Sequence, residues 1–358
     1  MRIHQLLPCL RHGDAIGNHT IEIQRVLQQW EHESQIFADD IHDDMRSFAK
    51  PYTKLRGKTL RDAVLIYHFS LGSPVSEFVK SLPNPKILIY HNITPAHFLK
   101  GFNDYMHEIL EKGRDELKEF IDLCDLALGD SEFNRLELEE LGFQNTGVLP
   151  IILDFEKYTA SPAPHILKRY DDDWKNIIFV GRIVPNKRQE DLIHAFHLYK
   201  HYVNPESRLF LIGLGGIERY DFMLEEFARK LGVKDVYITG KVTDDELAAY
   251  YRIADLMLCM SEHEGFNVPL LEAMHADVPI LAYNSTSIPY TLGEAGVLFN
   301  EKQYEAVAEM MDVIMENQEL RSGIIEAQHK RLTSFERSRL EGVLKSYLEP
   351  FLSSPATD

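Results

Sequence analysis

The sequence predicts an α/β chain of two domains, each built on a doubly wound parallel sheet. Three observations predict it. Short, continuously apolar runs alternate with longer amphipathic ones along nearly the whole chain, the pattern of strands covered on both faces by helices. The alternation pauses once, between about Asp154 and Trp174. A length of 358 residues suits two domains of ordinary size.

In the first half the strand signals are Ile3–Leu7, Gln35–Ala38, Ala63–Tyr67, Ile87–Tyr90, Leu126–Gly129 and Thr146–Pro150. In the second they are Asn176–Gly181, Arg208–Gly213, Val236–Thr239, Leu256–Cys259, Pro279–Ala282 and Gly296–Phe299. Most have four to six residues, too few for helices. Helical patterns lie between them at Thr20–Gln29, Gly113–Leu123, Glu132–Leu141, Glu190–Tyr199, Tyr220–Lys230 and Asp244–Arg252. The pause, with Pro162 and Pro164, reads as a linker. It divides an N-terminal domain, residues 1–158, from a second domain, residues 159–336. A helix over about 337–352 is expected to pack back on the first domain, and Ser353, Ser354 and Pro355 to fray.

Charge narrows the function. Against 56 Asp and Glu stand 38 Lys and Arg, a net −18. Such a chain is a poor binder of nucleic-acid backbone. An anionic ligand would need a local cluster of cations. Cys9, Cys124 and Cys259 show no metal-ligand or disulfide spacing. The N-terminus lacks a signal-peptide pattern, and no apolar run approaches the roughly 20 residues of a membrane span. A cytoplasmic protein is expected, with room for peripheral contact at the inner face of a membrane.

Ligands of doubly wound sheets sit beyond the carboxyl ends of the strands, so two such domains place the expected site in a cleft between them. The first strand-to-helix turn carries Gly13 and Gly17, ahead of a helix expected from about Thr20. Asp39 and Asp40 give only a weak echo of a nicotinamide fingerprint. His91 follows a buried strand; its ring could meet a substrate hydroxyl or developing positive charge, or simply cap a helix. Gly181-Arg182 to Lys187-Arg188 is the local cation cluster that an anion requires. Arg182 can fork onto phosphate oxygens and Lys187 can add a point charge. Gly213, Lys241 and Val242 follow the next two strands and could frame a base through main chain. The most informative run is Glu264-Gly-Phe-Asn-Val-Pro269-Leu-Leu-Glu272. Its carboxylates can accept from vicinal hydroxyls, and the amides of Gly265, Phe266, Asn267 and Val268 precede a helix that Pro269 opens.

Gly181-Arg182…Lys187 followed by Glu264…Glu272-Ala-Met resembles the donor half of family 4 glycosyltransferases, retaining enzymes of the GT-B fold. The resemblance is specific from about Ile177 to Phe299 and looser at the N-terminal glycines and His91. It implies GT-B architecture: two doubly wound Rossmann-like domains facing a cleft, with the acceptor on the first and the nucleotide-sugar donor on the second. It implies that Glu264 contacts the hexose and Glu272 the ribose. Arg182 and Lys187 would stabilise the leaving diphosphate, and His91 would contact the sugar near the reacting carbon. Where many members end the motif helix in Cys-Gly, this chain has His275-Ala276-Asp277.

The expected function is transfer of a mannose- or glucose-type hexose, with retention, from GDP-mannose or a UDP-hexose. The acceptor would be a saccharide or a lipid-linked acceptor of surface polysaccharide or glycolipid synthesis. No cofactor or metal is expected. Asp171-Asp172-Asp173 contains a DxD pattern, but it precedes its strand and reads as a solvated acidic turn. Arg46, Lys50, Lys54, Arg56, Lys58 and Arg61 form a basic stretch that could face an anionic acceptor or membrane. Two competing readings are a nucleotide-sugar epimerase of the same architecture and a non-catalytic nucleotide-sugar-binding subunit.

Overall fold

A computed structural model describes residues 1–11, 13–155 and 161–352. The expected boundary at 158/159 and the expected frayed end at Ser353–Pro355 lie outside the described residues. The chain divides into two compact units. One holds Met1–His97, Tyr105–Asp154 and the stretch from Phe335; the other holds Phe98–Asp104 and Phe155–Ser334.

The first unit runs β1 (Arg2–Leu10), α1 (Ala15–Gln29), β2 (Ile36–Ile41), β3 (Ala49–Pro51), β4 (Ala63–Phe69), α2 (Pro74–Ser81), β5 (Lys86–Tyr90), α3 (Asp104–Lys118), β6 (Leu126–Gly129), α4 (Glu132–Leu141) and β7 (Thr146–Val148). Its parallel sheet has the order β3-β2-β1-β4-β5-β6-β7. The order reverses at β1/β4, the place where such sheets take ligands. One face is covered by Ile23, Val26 and Leu27 of α1. Leu340, Leu344 and Leu348, four residues apart on a C-terminal helix (Arg337–Leu352), join the same core. The Tyr347 hydroxyl of that helix accepts from Val148 N at 3.0 Å and lies over Gly147, where any Cβ would collide with it.

The second unit runs α5 (Pro164–Arg169), β8 (Lys175–Val180), α6 (Gln189–Leu198), β9 (Ser207–Ile212), α7 (Glu218–Leu231), β10 (Val236–Gly240), α8 (Asp244–Ile253), β11 (Leu256–Cys259), α9 (Val268–His275), β12 (Ile280–Tyr283), α10 (Ile288–Leu292), β13 (Val297–Phe299), α11 (Tyr304–Glu316) and α12 (Gln318–Leu332). Its sheet order, β10-β9-β8-β11-β12-β13, repeats the logic of the first, with the reversal at β8/β11. Continuously buried strands such as Ser207–Ile212 explain the unbroken apolar runs.

Four expectations need correction. The basic stretch contains a short strand, β3, which escaped notice because Ala49-Lys50-Pro51 carries no apolar run. The linker contains a helix, α5, with Pro164 in its first turn. The helix expected over Gly113–Leu123 instead starts at Asp104, whose carboxylate accepts from Gly101 N, and gives way to tighter turns after Lys118. Finally, α1 starts at Ala15, not Thr20, because Asp14 caps it by accepting from Gly17 N at 3.2 Å.

Candidate functional site

In the second unit, the carboxyl ends of β8 and β11 bring the main candidates together. β8 is followed by Gly181, with φ +151°, and then by Arg182, exposed to solvent. Among the described residues its guanidinium has no ion-pair partner, so its donors are free for an anion. Gly213 closes β9 with φ +149°, and its Cα packs against Gly181 O so closely that a Cβ would collide. The two glycines are therefore needed for backbone approach.

Lys187 ends a tight turn over Pro185–Lys187 and forms an ion pair with Glu264. The side chains are 15% and 8% exposed, so this is a largely desolvated pair whose members depend on each other. The two loops are joined by backbone as well. Glu262 N donates to Asn186 O at 2.9 Å, and Asn186 Nδ2 donates to His263 O at 3.0 Å. Glu264 N donates to Thr286 Oγ1 at 2.9 Å. Asn267, with φ +70°, turns the chain into α9, and Pro269 sits in the first turn. Gly265, Phe266, Asn267 and Val268 thus lead into a helix N-terminus, a region of positive potential. Glu272 lies one turn inside α9, buried, and accepts from Tyr251 OH at 2.7 Å. Lys241 is exposed and Val242 half-buried in the turn after β10.

A charged network braces these loops; Arg188 belongs to the expected cation cluster, but sequence reading missed Lys302 and Asp191. Lys302 donates to Asp191 at 2.6 Å and to Glu262 at 2.8 Å. Arg188 pairs with Glu190 at 2.9 Å and Asp191 at 3.1 Å. Burial pushes the Asp191 carboxyl up, but hydrogen bonds from Lys302 and Arg188 outweigh it and hold it below the usual range. Burial pushes Glu190 up. Asp172 of the DxD decoy is not merely solvated: it is ion-paired with Arg208, which holds its carboxyl low. Among the described residues no cluster of three or more His, Cys, Asp or Glu is placed to hold a metal ion.

The first unit presents a different chemistry at the ends of β1, β4, β5 and β6. Gly13 lies in the turn after β1 with φ +78°. Gly17 is not in that turn but inside α1, where it packs against Arg11 O. His91 sits just beyond β5, its side chain only 1% exposed. Nε2 lies 2.9 Å from His68 Nδ1, and Nδ1 lies 3.1 Å from Asp130 Oδ2. Both ring nitrogens are engaged inward, which corrects the expectation of a ring free for a sugar hydroxyl. His68, at the end of β4, and His19, on α1, are buried beside it. Burial, then the neighbouring His91, hold both well below the ordinary histidine range. His68 could have been found by position, since it follows a strand signal directly; Asp130 and His19 carry no local signal.

The basic stretch is exposed, but part of it is engaged. Arg46 pairs with Asp43 at 2.7 Å, and Lys50 donates to Gln35 Oε1 at 3.0 Å. No helix among the described residues is long and apolar enough to cross a membrane.

Residues 167–331 match the family model of glycosyl transferases group 1. The chain is 28% identical over 229 residues to O-antigen chain mannosyltransferase B of Escherichia coli, covering 62% of this chain and 59% of that relative. It is 30% identical over 174 residues to a GDP-mannose-dependent alpha-(1-6)-phosphatidylinositol monomannoside mannosyltransferase of Mycobacterium tuberculosis, covering 45% and 44%. The alignments thus span about half of each of these relatives. Among solved structures, HepE of Anabaena in complex with UDP and glucose matches with TM-score 0.76 at 16% identity, covering 98% of this chain and 100% of that one. Sucrose-phosphate synthase of Thermosynechococcus elongatus matches with TM-score 0.75 at 15% identity, covering 99% and 100%. Two Rossmann-like parallel sheets and these neighbours show that the chain has the GT-B fold, and its residues 167–331 match the group 1 glycosyl transferases.

Proposed function

We propose that this protein is a retaining mannosyltransferase that uses GDP-mannose to extend a surface polysaccharide or glycolipid. The observation that carries the reading is the meeting of Lys187 with Glu264 at the sheet reversal of the second unit, on the turn that also carries Arg182, which has no ion-pair partner among the described residues. Mannose is favoured over glucose because both sequence relatives named above are mannosyltransferases, one of them GDP-mannose-dependent. The UDP-bound neighbours, at 16% identity, speak for the fold alone.

In this reading the second unit takes the donor. As the bond between anomeric carbon and phosphate breaks, the sugar becomes oxocarbenium-like. The acceptor hydroxyl forms the new glycosidic bond on the same face, and its proton passes to a phosphate oxygen of the departing nucleoside diphosphate. Arg182 and Lys187 stabilise the charge growing on that diphosphate, as do the amides leading into α9. Glu264 accepts from hexose hydroxyls and Glu272 from the ribose. Lys187 and Glu264 neutralise each other across the turns after β8 and β11. A donor carrying both phosphates and hydroxyls satisfies each partner separately, so binding exchanges one ion pair for two polar contacts. The cations come from the chain itself, which makes the reaction metal-independent. Gly181, Gly213, Lys241 and Val242 supply main-chain contacts. The first unit takes the acceptor, and Lys54, Arg56, Lys58 and Arg61 suit an acceptor carrying phosphate, at the inner membrane face or in the cytoplasm.

A thermal-shift panel of GDP, UDP, GDP-mannose and UDP-glucose tests the donor. A ligand of the folded state raises the midpoint by mass action. GDP-mannose should give the largest shift, and the shift should vanish in Glu264→Ala. A larger shift with UDP-glucose would overturn the mannose assignment.

A further inference from the structure

The first unit contains a buried chain of hydrogen bonds that the reaction above leaves unexplained. It starts at Gln5, whose Nε2 donates to Thr20 O at 2.9 Å. That bond fixes the amide orientation, so Oε1 is the atom that faces His68 Nε2 at 2.9 Å. An amide oxygen only accepts. His68 therefore carries a proton on Nε2. In the neutral ring its Nδ1 is then a lone pair, and His91 Nε2 must donate to it at 2.9 Å. His91 Nδ1 is left facing Asp130 Oδ2 at 3.1 Å. Two lone pairs do not meet at hydrogen-bond distance, so this contact holds a proton of its own. The other oxygen of Asp130 accepts from Asn134 Nδ2, as suits an ionised carboxylate.

We propose that His91 stands as an imidazolium paired with the Asp130 carboxylate, held so by His68 and Gln5, and serves as a fixed cation, not a proton acceptor. The physical ground is the cost of burial. The side chains of His91 and Asp130 are 1% and 3% exposed. A lone buried carboxylate would be expensive, whereas the pair is neutral overall. The groups that face His91 are His68 from β4, His19 from α1 and Asp130 after β6. His19 stands edge-on to His91 at 5.7 Å, and its nitrogens have no partner among the described residues. Both it and His68 are held neutral by burial and by His91, which concentrates the charge on the one ring with a carboxylate beside it. Asp130, His68 and Gln5 are thus positioning residues. The protonation state rests on hydrogen-bond geometry, with burial keeping His68 neutral; a part in sugar transfer rests on the reading of the chain as a glycosyltransferase proposed above.

The experiment is long-range proton–nitrogen NMR on the whole chain with nitrogen-15-labelled histidines at about pH 8, where ordinary imidazoles are neutral. A ring protonated on both nitrogens is expected, absent in His91→Gln and converted to a neutral ring in Asp130→Asn. Transfer by Asp130→Asn should fall at least about tenfold in kcat, with donor KM within about threefold, and Asp130→Glu should recover part of the loss. A wild-type spectrum in which every ring is singly protonated overturns the proposal without recourse to any variant. So does a doubly protonated ring that survives His91→Gln. If the wild-type protein transfers no sugar, the reaction fails while the spectrum still decides the protonation state.

Discussion

The two units share one strand order and differ in how they furnish its carboxyl edge. In the first, the reversal at β1/β4 is surrounded by buried imidazoles, an amide and one carboxylate: Gln5, His19, His68, His91 and Asp130. In the second, the reversal at β8/β11 is surrounded by formal charges that satisfy one another: Lys187 with Glu264, and Arg188 and Lys302 with Asp191 and Glu262. The first edge is held in shape by hydrogen bonds deep in the fold. The second is held by ion pairs that are themselves largely desolvated, and Arg182 has no ion-pair partner among the described residues. A single scaffold thus supports two electrostatic regimes, and they should fail under different stresses.

The sharpest break should come at the charges of the second unit. Lys187→Ala and Glu264→Ala are each expected to lower transfer by about 10²–10³-fold. Lys187→Ala also leaves the buried carboxylate of Glu264 unpaired, at a cost of about 3 kcal/mol, so its unfolding midpoint should drop. Assays of turnover and chemical denaturation on both variants check this; near-normal transfer by both would remove them from the site.

Backbone packing comes next, with one test in each unit. Gly213→Ala forces a Cβ against Gly181 O, and backbone cannot move aside cheaply. A loss of about 3 kcal/mol is expected. Gly147→Ala pushes against the Tyr347 ring instead. It should cost about 2 kcal/mol and first raise hydrogen exchange in the C-terminal helix. Equal exchange in that helix for wild type and variant would show that the helix is anchored elsewhere.

The acid response separates the units directly. His19 and His68 are held low in the folded state. As pH falls below the unfolded value of about 6.5, the unfolded chain takes up protons that the folded one refuses, and stability falls by up to about 1.4 kcal/mol per pH unit for each ring. Asp172 and Asp191 are also held low, but for a carboxylate the stabilisation is present above about pH 4 and is lost only below it. Hydrogen exchange resolved along the chain should therefore show the first unit loosening between about pH 6 and 5 while the second holds. Simultaneous loosening of both near pH 4 would contradict the assignment of buried neutral imidazoles.

The smallest effect is expected at His19, whose buried nitrogens make no hydrogen bond among the described residues. His19→Leu should hold stability or raise it by about 1 kcal/mol, since an unsatisfied polar group is removed from the interior. A clear drop in the midpoint would mean that the ring's contacts with His68 and His91 stabilise the fold.

The sequence by itself determined the class of fold, most strands and the motifs of the second unit. β6, β11, α4 and the Lys187 and Glu264 loops were legible because apolar period, caps and local spacing act within a few residues of each other. β3 was not, because it is an edge strand of three residues with a proline and owes its existence to pairing with β2. The tertiary structure alone decided that Lys187 meets Glu264 across 77 positions and that Lys302, 111 positions from Asp191, braces them. It also decided that His91 turns inward to Asp130 and His68. Hydrophobic period is a local property that each segment carries with it. Pairing of charges and hydrogen bonds depends on which strand ends the sheet order sets side by side, and that order is settled only when the whole sheet forms.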